Sequence, residues 1–100
     1  SLIPPTTPSG APYTFRNNLK QTQAFSDVQQ LQKFLNLNGF TVSTSGPGSL
    51  GQETQYFGFL TRQALIKFQE AHANQILTPN GLTKGTGYFG PSTRGFINSR

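Results

Sequence analysis

A seven-residue string occurs twice in this chain and restricts its fold more than any other feature. Residues 56–62 read YFGFLTR and residues 88–94 read YFGPSTR. A glycine that directly precedes a helical pattern is a common N-cap, and a threonine in the first turn can bond backbone groups there through its hydroxyl. The repeat therefore predicts two helices that start alike, with Phe57 and Phe89 buried below the helix starts.

The hydrophobic spacing before the repeat predicts a first helix. Val28, Leu31 and Leu35 recur at intervals of three and four residues, which places them on one helical face. Ser26 is followed three residues later by Gln29, a spacing that resembles a capping box. We therefore expect the first helix to start at Ser26, with its side chain as the cap.

Two further segments have helical patterns, and the Asn-Gly pair at 38–39 is a strong end signal for the first helix. Residues 59–73 carry an apolar stripe that predicts a second helix. Residues 91–99 predict a short third helix, with Pro91 at its first position. Gly95 weakens this third helix by about 1 kcal/mol relative to alanine. The sequence thus predicts a mostly α fold, a small three-helix bundle with irregular loops.

The connections differ in composition from the helical segments. Residues 43–55 are rich in glycine and serine and predict a long loop, and residues 74–87 predict a turn in which the Asn-Gly pair at 80–81 forms a tight, hairpin-like bend. Residues 1–12 are rich in proline, serine and threonine and read as an interdomain linker. We therefore place the domain at residues 13–100 and expect a covalently linked neighbouring domain.

The charge balance favours anionic partners without naming one. The net charge is +5, from eight Lys/Arg against three Asp/Glu. The basic residues are scattered rather than clustered, so no specific binding of nucleic acid is expected. No apolar run approaches the ~20 residues that a membrane-spanning helix needs, so no transmembrane segment is predicted.

Residues that carry catalysis are scarce in this chain. Hydrolysis of a glycoside usually needs two paired carboxylates, and nothing in the sequence pairs Asp27, Glu53 or Glu70. His72 is the single histidine and there is no cysteine, which leaves too few ligands for a typical zinc site. We therefore expect no enzymatic activity, no metal site and no cofactor.

Four side chains of the repeat are not needed to start a helix. Arg62 and Arg94 place a cation in the first turns of a helix, at the unfavourable end of its dipole. Tyr56 and Tyr88 each offer a flat apolar face and a hydroxyl, which suits a sugar ring or a peptide. Either these side chains form a contact surface, or duplication copied them and each arginine pairs with a nearby carboxylate.

Three motifs in order, DVQQLQKFLNLNG, FGFLTRQALIKFQ and GPSTR, carry a resemblance to a known family. Over residues 15–97 the chain resembles the peptidoglycan-binding domain-like family. That family has the pattern Asp-Val-x-x-Leu-Gln-x-x-Leu, a glycine, then Phe-Gly-x-x-Thr-x-x-Ala-Leu-x-x-Phe-Gln, and a closing Gly-x-x-Thr helix. The matching positions are Asp27, Val28, Leu31, Gln32, Leu35, Gly39, Phe57, Gly58, Thr61, Ala64, Leu65, Phe68, Gln69, Gly90 and Thr93.

This resemblance implies a three-helix, non-catalytic module that anchors an attached enzyme or other protein to bacterial cell-wall peptidoglycan. It also implies a secreted carbohydrate-binding module in an extracellular or cell-envelope location, of bacterial or phage origin. The chain departs from the pattern in its longer loop at residues 43–55 and in Phe59, which stands where the second copy has Pro91.

These observations lead to a hypothesis about the ligand contacts. Tyr56 and Tyr88 would offer flat faces to a glycan or a stem peptide. Arg62 or Arg94 would bind a peptide carboxylate through the guanidinium fork, and Gln69 would add hydrogen bonds. The alternative is a structural or protein-interaction module of an envelope or phage assembly.

Overall fold

The computed structural model describes residues 2–3 and 13–99, and this part of the chain is mostly helical. The three predicted helices are confirmed, and a fourth, one-turn helix lies between the second and the last. The elements are α1 Ser26–Leu37, α2 Phe59–Ala71, α3 Ala73–Ile76, a 3₁₀ turn at Thr78–Asn80, and α4 Pro91–Asn98. No helix of the described residues has the length and apolar character that crossing a membrane requires.

The predicted linker at residues 1–12 lies outside the described residues, except for Leu2 and Ile3. Leu2 packs against the hydrophobic core, and the Ile3 backbone N–H donates a hydrogen bond of 2.7 Å to the Asn38 side-chain oxygen. The Asn38 amide returns a bond of 2.8 Å to the Ile3 carbonyl. These two residues are therefore attached to the C-terminal end of α1.

The start of α1 differs from the prediction. Phe25, in extended conformation, is the N-cap, and Ser26 is already helical, with no side-chain hydrogen bond at this cap in the described structure. The capping box is therefore wrong, because Gln29 bonds elsewhere: its amide donates to the Glu53 carbonyl at 3.0 Å. The predicted end is correct, since Gly39 has a φ of +87° directly after the last turn.

The segment at residues 74–87 is not only a turn. It begins within α3 and continues through the 3₁₀ turn, after which Gly81 adopts a left-handed conformation with φ +71°. The missed signal is the apolar pair Ile76 and Leu77, which are 2% and 1% exposed. Burial of these two side chains, at the end of α3 and directly after it, stabilises the segment against the core.

An extended segment before α1 joins the two copies of the repeat. Leu19 pairs with Phe89 through two backbone hydrogen bonds, of 2.9 and 2.7 Å. A few residues later, the Thr22 backbone N–H donates to the Phe57 carbonyl at 2.8 Å, and the Phe57 N–H donates to the Gln23 carbonyl at 2.9 Å. The same short segment therefore holds the approach to both α2 and α4.

The core lies between these helices and the extended segment. The hydrophobic pattern of the sequence predicts a core of Leu19, Val28, Leu31, Leu35, Phe40, Phe57, Leu65, Phe68, Phe89, Phe96 and Ile97. All of these are buried except Phe40 and Phe96, which are partly buried and pack against the core. The buried hydrophobic residues are Phe15, Leu19, Val28, Leu31, Phe34, Leu35, Val42, Phe57, Ala64, Leu65, Phe68, Ile76, Leu77, Phe89 and Ile97.

Phe68 stands at the centre of an aromatic cluster. Its ring meets those of Phe34 and Phe40 edge to face, each at a centroid distance of 5.3 Å. The His72 ring lies 4.7 Å from Phe68 and 5.1 Å from Phe96. The edge-to-face contacts are favourable beyond the area that they bury and attach α2 to α1 and the segment after it. Tilted contacts with Phe96 attach α2 to α4.

His72 gives the stability of the domain a pH dependence. Burial among aromatic rings lowers the pKa of His72 from 6.5. Because the folded state resists protonation, the unfolded chain takes up the proton first, so stability is lost as the pH falls below about 6.5 toward the lower folded-state pKa. We expect the melting temperature to fall less between about pH 7.5 and about pH 5 in His72→Gln than in the wild type. Equal falls in the two proteins would contradict this assignment.

Gly95 offers a simple gain in stability. It lies inside α4, is exposed, and an added Cβ would meet no described atom within 4 Å. Alanine there should stabilise the domain by about 0.5–1 kcal/mol, because it restricts the unfolded chain and favours the helix. Urea denaturation measures the change. The matched control is Gly39→Ala, which should be destabilising because its φ is +87°.

Candidate functional site

A buried glutamine in α1 holds the first copy of the repeat. Gln32 is 1% exposed. Its amide nitrogen donates to the Tyr56 carbonyl at 3.0 Å and to the Thr61 hydroxyl at 2.9 Å, and its oxygen accepts from the Thr54 N–H at 2.6 Å. One side chain therefore joins the loop before α2 to the first turn of α2.

Gln69 in α2 does the same for the second copy. It is 1% exposed, and its amide nitrogen donates to the Tyr88 carbonyl at 2.8 Å and to the Thr93 hydroxyl at 3.2 Å. Its oxygen accepts from the N–H groups of Thr86 and Gly87, at 2.9 and 3.0 Å. The structure thus places Gln69, which the sequence suggested as a ligand contact, in the interior with both ends of its amide engaged.

The threonines of the repeat have a different role from the predicted one. Thr61 and Thr93 are each 2% exposed and accept hydrogen bonds from the two glutamines. At the N-caps of α2 and α4, no side-chain hydrogen bond is formed in the described structure. The prediction that these hydroxyls bond the first-turn backbone is therefore wrong.

The glutamine networks show that the repeat is longer than seven residues. Thr54 and Thr86 each stand two positions before the tyrosine, and their hydroxyls accept from the Tyr56 and Tyr88 N–H groups at 3.3 and 3.1 Å. The full pattern is Thr-x-Tyr-Phe-Gly-x-x-Thr-Arg. Two signals in the sequence could have indicated this longer pattern. One is the threonine two positions before each tyrosine, and the other is a glutamine next to a core residue in the helix before each copy.

Each tyrosine ring lies over the glycine that follows it. A Cβ at Gly58 would lie 3.0 Å from the Tyr56 ring, and one at Gly90 would lie 2.6 Å from the Tyr88 ring. The glycines are thus needed for the ring positions as well as for the helix starts. The rings remain 54% and 42% exposed, so a broad part of each is open to solvent.

A cleft opens beside each tyrosine, and the two clefts share an equivalent floor. The first cleft, of about 220 Å³, has Gln32, Thr54, Tyr56, Gly58 and Thr61 in its lining. The second cleft, of about 280 Å³, has the corresponding Gln69, Thr86, Tyr88, Gly90 and Thr93. Two equivalent positions on the surface are therefore available to a ligand.

The walls of both clefts are mainly apolar. The first cleft is flanked by Phe59 and Leu60, which are 62% and 51% exposed. The second has Leu82 and Pro91 in its lining, and at its edge the Asn80 amide donates to the Ser92 hydroxyl at 2.7 Å. Each cleft therefore offers a largely apolar surface to a ligand, and the second adds a polar pair at its edge.

The two arginines of the repeat lie in different surroundings. Arg62 packs across Gly87, where a Cβ would meet the Arg62 Cγ at 2.7 Å, so this residue of the first copy lies directly before Tyr88 of the second. Arg94 donates to the Arg16 carbonyl at 3.4 Å, and its Nε is buried without a partner in the described structure. Neither guanidinium forms an ion pair with a described carboxylate, which removes the alternative of pairing within the domain.

Two of the three carboxylates form hydrogen bonds that hold loop segments in place. Glu53 accepts from the Asn36 amide at 2.9 Å, and Glu70 accepts from the Gly85 N–H at 3.0 Å. Asp27, 5% exposed, lies in the core region. Within the described residues, no group of three His, Cys, Asp or Glu side chains lies close enough to hold a metal ion.

Asp27, in the first turn of α1, accepts two hydrogen bonds from the N-terminal segment. It accepts a hydrogen bond from the Tyr13 hydroxyl and another, of 3.0 Å, from the Asn17 amide. Burial, together with this bond to Asp27, raises the pKa of Tyr13 to about 12. The buried carboxylate thus attaches the N-terminal segment to α1.

The clefts, the glutamine networks and all three long helices fall within one family match. Residues 26–97 match a family model described as "Putative peptidoglycan binding domain". The chain belongs to the peptidoglycan-binding domain family. The family is a helical one, in agreement with the fold, and membership suggests peptidoglycan binding and association with the cell wall or envelope. Comparison with curated proteins and with solved structures gives no match.

The five residues suggested from sequence as ligand contacts all lie within residues 26–97, which match the peptidoglycan-binding domain. The structure brings Tyr56 and Tyr88 into equivalent clefts and packs Arg62 against Gly87, directly before Tyr88. Arg94 lies against the N-terminal segment, and Gln69 lies below the surface. Sequence reasoning missed the walls of the clefts, because Leu82, Asn80 and Ser92 are brought together only by the fold.

Proposed function

We propose that this domain is a non-catalytic module that binds peptidoglycan and holds an attached protein or enzyme at the bacterial cell wall. The family match over residues 26–97 carries the proposal. Two open clefts with exposed tyrosines, both inside the matched residues, support it. The engagement of the carboxylates in loop contacts is consistent with binding rather than hydrolysis.

Tyr56 and Tyr88 are the proposed platforms for the ligand. Their backbones are held by the glutamine networks, so the rings are preorganised and lose little freedom on binding. A tyrosine ring can pack against the apolar face of a sugar while its hydroxyl bonds a sugar hydroxyl or an amide. This arrangement fits the glycan, the stem peptide, or both.

Arg62 is the better placed of the two arginines to bind a carboxylate of the stem peptide. Its side chain packs against Gly87, directly before Tyr88, and forms no internal ion pair with a described carboxylate. A guanidinium binds a carboxylate in a bidentate manner, which adds direction as well as charge. Arg94 would contribute mainly to the positive field of the surface. Gln69 would act by positioning Tyr88 rather than by contact.

Sedimentation with insoluble peptidoglycan tests the proposal. The wild-type domain should pellet with the wall at low salt. Tyr56→Ala with Tyr88→Ala should weaken binding by at least about tenfold, the loss of a typical hot spot. Arg62→Ala should weaken it less and make it less sensitive to salt. Lys67→Ala, an exposed cation on the same helix as Arg62, is the matched control. A wild-type domain that stays in the supernatant would refute the proposal.

A second candidate function is a structural or protein-interaction module. The exposed Phe59 and Leu60 favour it, because two large apolar side chains at one helix start are unusual on a free surface. The triple variant Tyr56→Ala, Arg62→Ala and Arg94→Ala separates the two functions. Lost wall binding with an unchanged melting temperature supports the first function, whereas strong destabilisation of a domain that never bound the wall supports the second.

A further inference from the structure

Both clefts have the features of a binding subsite, and we propose that they bind two repeating units of one anionic polymer at the same time. This inference rests on the proposed function, since the polymer is taken to be peptidoglycan. It adds that the domain has two subsites, and that each takes an N-acetylated sugar-peptide unit with a free carboxylate.

The first argument is that the two tyrosines are held in the same way. Gln32 and Gln69 donate to the carbonyls of Tyr56 and Tyr88 at 3.0 and 2.8 Å. Each network also includes the threonine of the following helical turn. A ligand group that fits one floor therefore finds nearly the same arrangement in the other.

The second argument is that the hydrogen bonds of Gln32 and Gln69 do not involve the tyrosine rings. Its hydrogen bonds reach the backbone of Tyr56 and Tyr88, while neither phenol hydroxyl has a hydrogen-bond partner in the described part of the chain. Each ring leaves a cleft open beside it. Core packing, helix initiation and the glutamine networks explain the repeated phenylalanine, glycine and threonine, but they leave the repeated exposed ring without a structural role.

The third argument is the geometry of α2, which connects the two floors. Thr61 lies in its first turn at the first cleft, and Gln69 lies near its end at the second. At about 1.5 Å per residue, the two side chains start about 12 Å apart along the helix axis. One extended oligomer can span that distance, and a polymer presents its repeating units at a regular spacing of this order.

The fourth argument concerns charge. The net charge is +5, and the three carboxylates are engaged in contacts within the domain. Arg62, in the first copy of the repeat, packs against Gly87, the residue directly before Tyr88 of the second copy. This distribution complements a polymer with a carboxylate on each repeating unit.

Two probes test the inference: a soluble disaccharide-peptide monomer of peptidoglycan, and the insoluble polymer. In an NMR titration the monomer should shift the amide signals of both Gly58 and Gly90, with two molecules bound per domain. Tyr56→Ala and Tyr88→Ala should each abolish the shifts at one cleft only. Each should weaken polymer binding by about a hundredfold, because linked binding of two units multiplies their affinities.

A second pair of variants keeps the test independent of folding. Leu60→Glu and Ser92→Glu place a negative charge at the wall of one cleft each. Both positions are exposed and lie in the first turn of a helix, where an acidic side chain is favourable. They should repel the ligand from one cleft without destabilising the domain. Gln63→Glu, in α2 but outside both cleft linings, is the control for charge.

The outcomes distinguish this inference from the proposed function. A stoichiometry of one, with the variants of one cleft leaving polymer binding unchanged, would overturn the two-subsite inference while peptidoglycan binding stands. Absence of binding to both monomer and polymer would overturn both. Two monomer sites with a hundredfold loss in each single-cleft variant would support both.

Discussion

Replacing Gln69 by alanine should destabilise the domain by about 3–5 kcal/mol. The change leaves the N–H groups of Thr86 and Gly87 and the carbonyl of Tyr88 without their buried partner. Each buried polar group left unsatisfied costs about 1–3 kcal/mol, and water can offset part of the loss. Urea denaturation followed by circular dichroism measures the free energy of unfolding.

The substitution should also weaken ligand binding, because it loosens the loop that contains Tyr88. In the variant, amide exchange at Gly87 and Tyr88 should be faster relative to that at Tyr56, whose carbonyl the Gln32 amide binds. Gln63→Ala on the same helix is the matched control, because the Gln63 side chain forms no hydrogen bond in the described structure; its effect should stay within about 0.5 kcal/mol. A loss below about 1 kcal/mol in Gln69→Ala would contradict the assigned role.

Replacing Phe68 by alanine should cost about 3–5 kcal/mol of stability, the usual range for a buried phenylalanine. Phe68 is fully buried and its ring contacts those of Phe34, Phe40, His72 and Phe96. The change opens a cavity where α1, α2 and α4 meet. A domain of this size has a stability of about 5–15 kcal/mol, so the variant should be close to unfolding at room temperature.

Phe59→Ala is the matched control for Phe68→Ala. Both residues lie in α2, but Phe59 is 62% exposed, so its loss should change the free energy of unfolding by less than about 0.5 kcal/mol. Thermal melting of the two variants beside the wild type measures the contrast. Similar melting temperatures for the two variants would show that the core is not organised around Phe68.

The helices were predictable because their signals are local. Apolar spacing placed α1, α2 and α4, and Gly58, Gly90 and the Asn-Gly pair at 38–39 marked their ends correctly. The repeated Phe57 and Phe89 were correctly expected in the core. Each of these inferences depends on residues within a few positions of each other, where backbone preference and side-chain spacing act directly.

The errors share one cause. The capping box at Ser26 and the hydrogen bonds of the repeat threonines to the first helical turn are local solutions that the chain permits. In the structure a distant partner replaces each of them: Gln29 bonds Glu53, and the threonine hydroxyls bond Gln32 and Gln69. Short-range patterns cannot choose between a nearby partner and a distant one.

The sequence by itself determined the helical class, the three long helices and the duplicated helix start. It also identified four side chains of the repeat, Tyr56, Arg62, Tyr88 and Arg94, that a helix start does not require. The tertiary structure decided which of those side chains share a site. It buried Gln69, placed Arg62 beside the second tyrosine, and formed a cleft at each copy. The physical reason is that a helix start depends on neighbouring residues, whereas a cleft depends on residues from α1, α2, α4 and the loops that meet only after the core has packed.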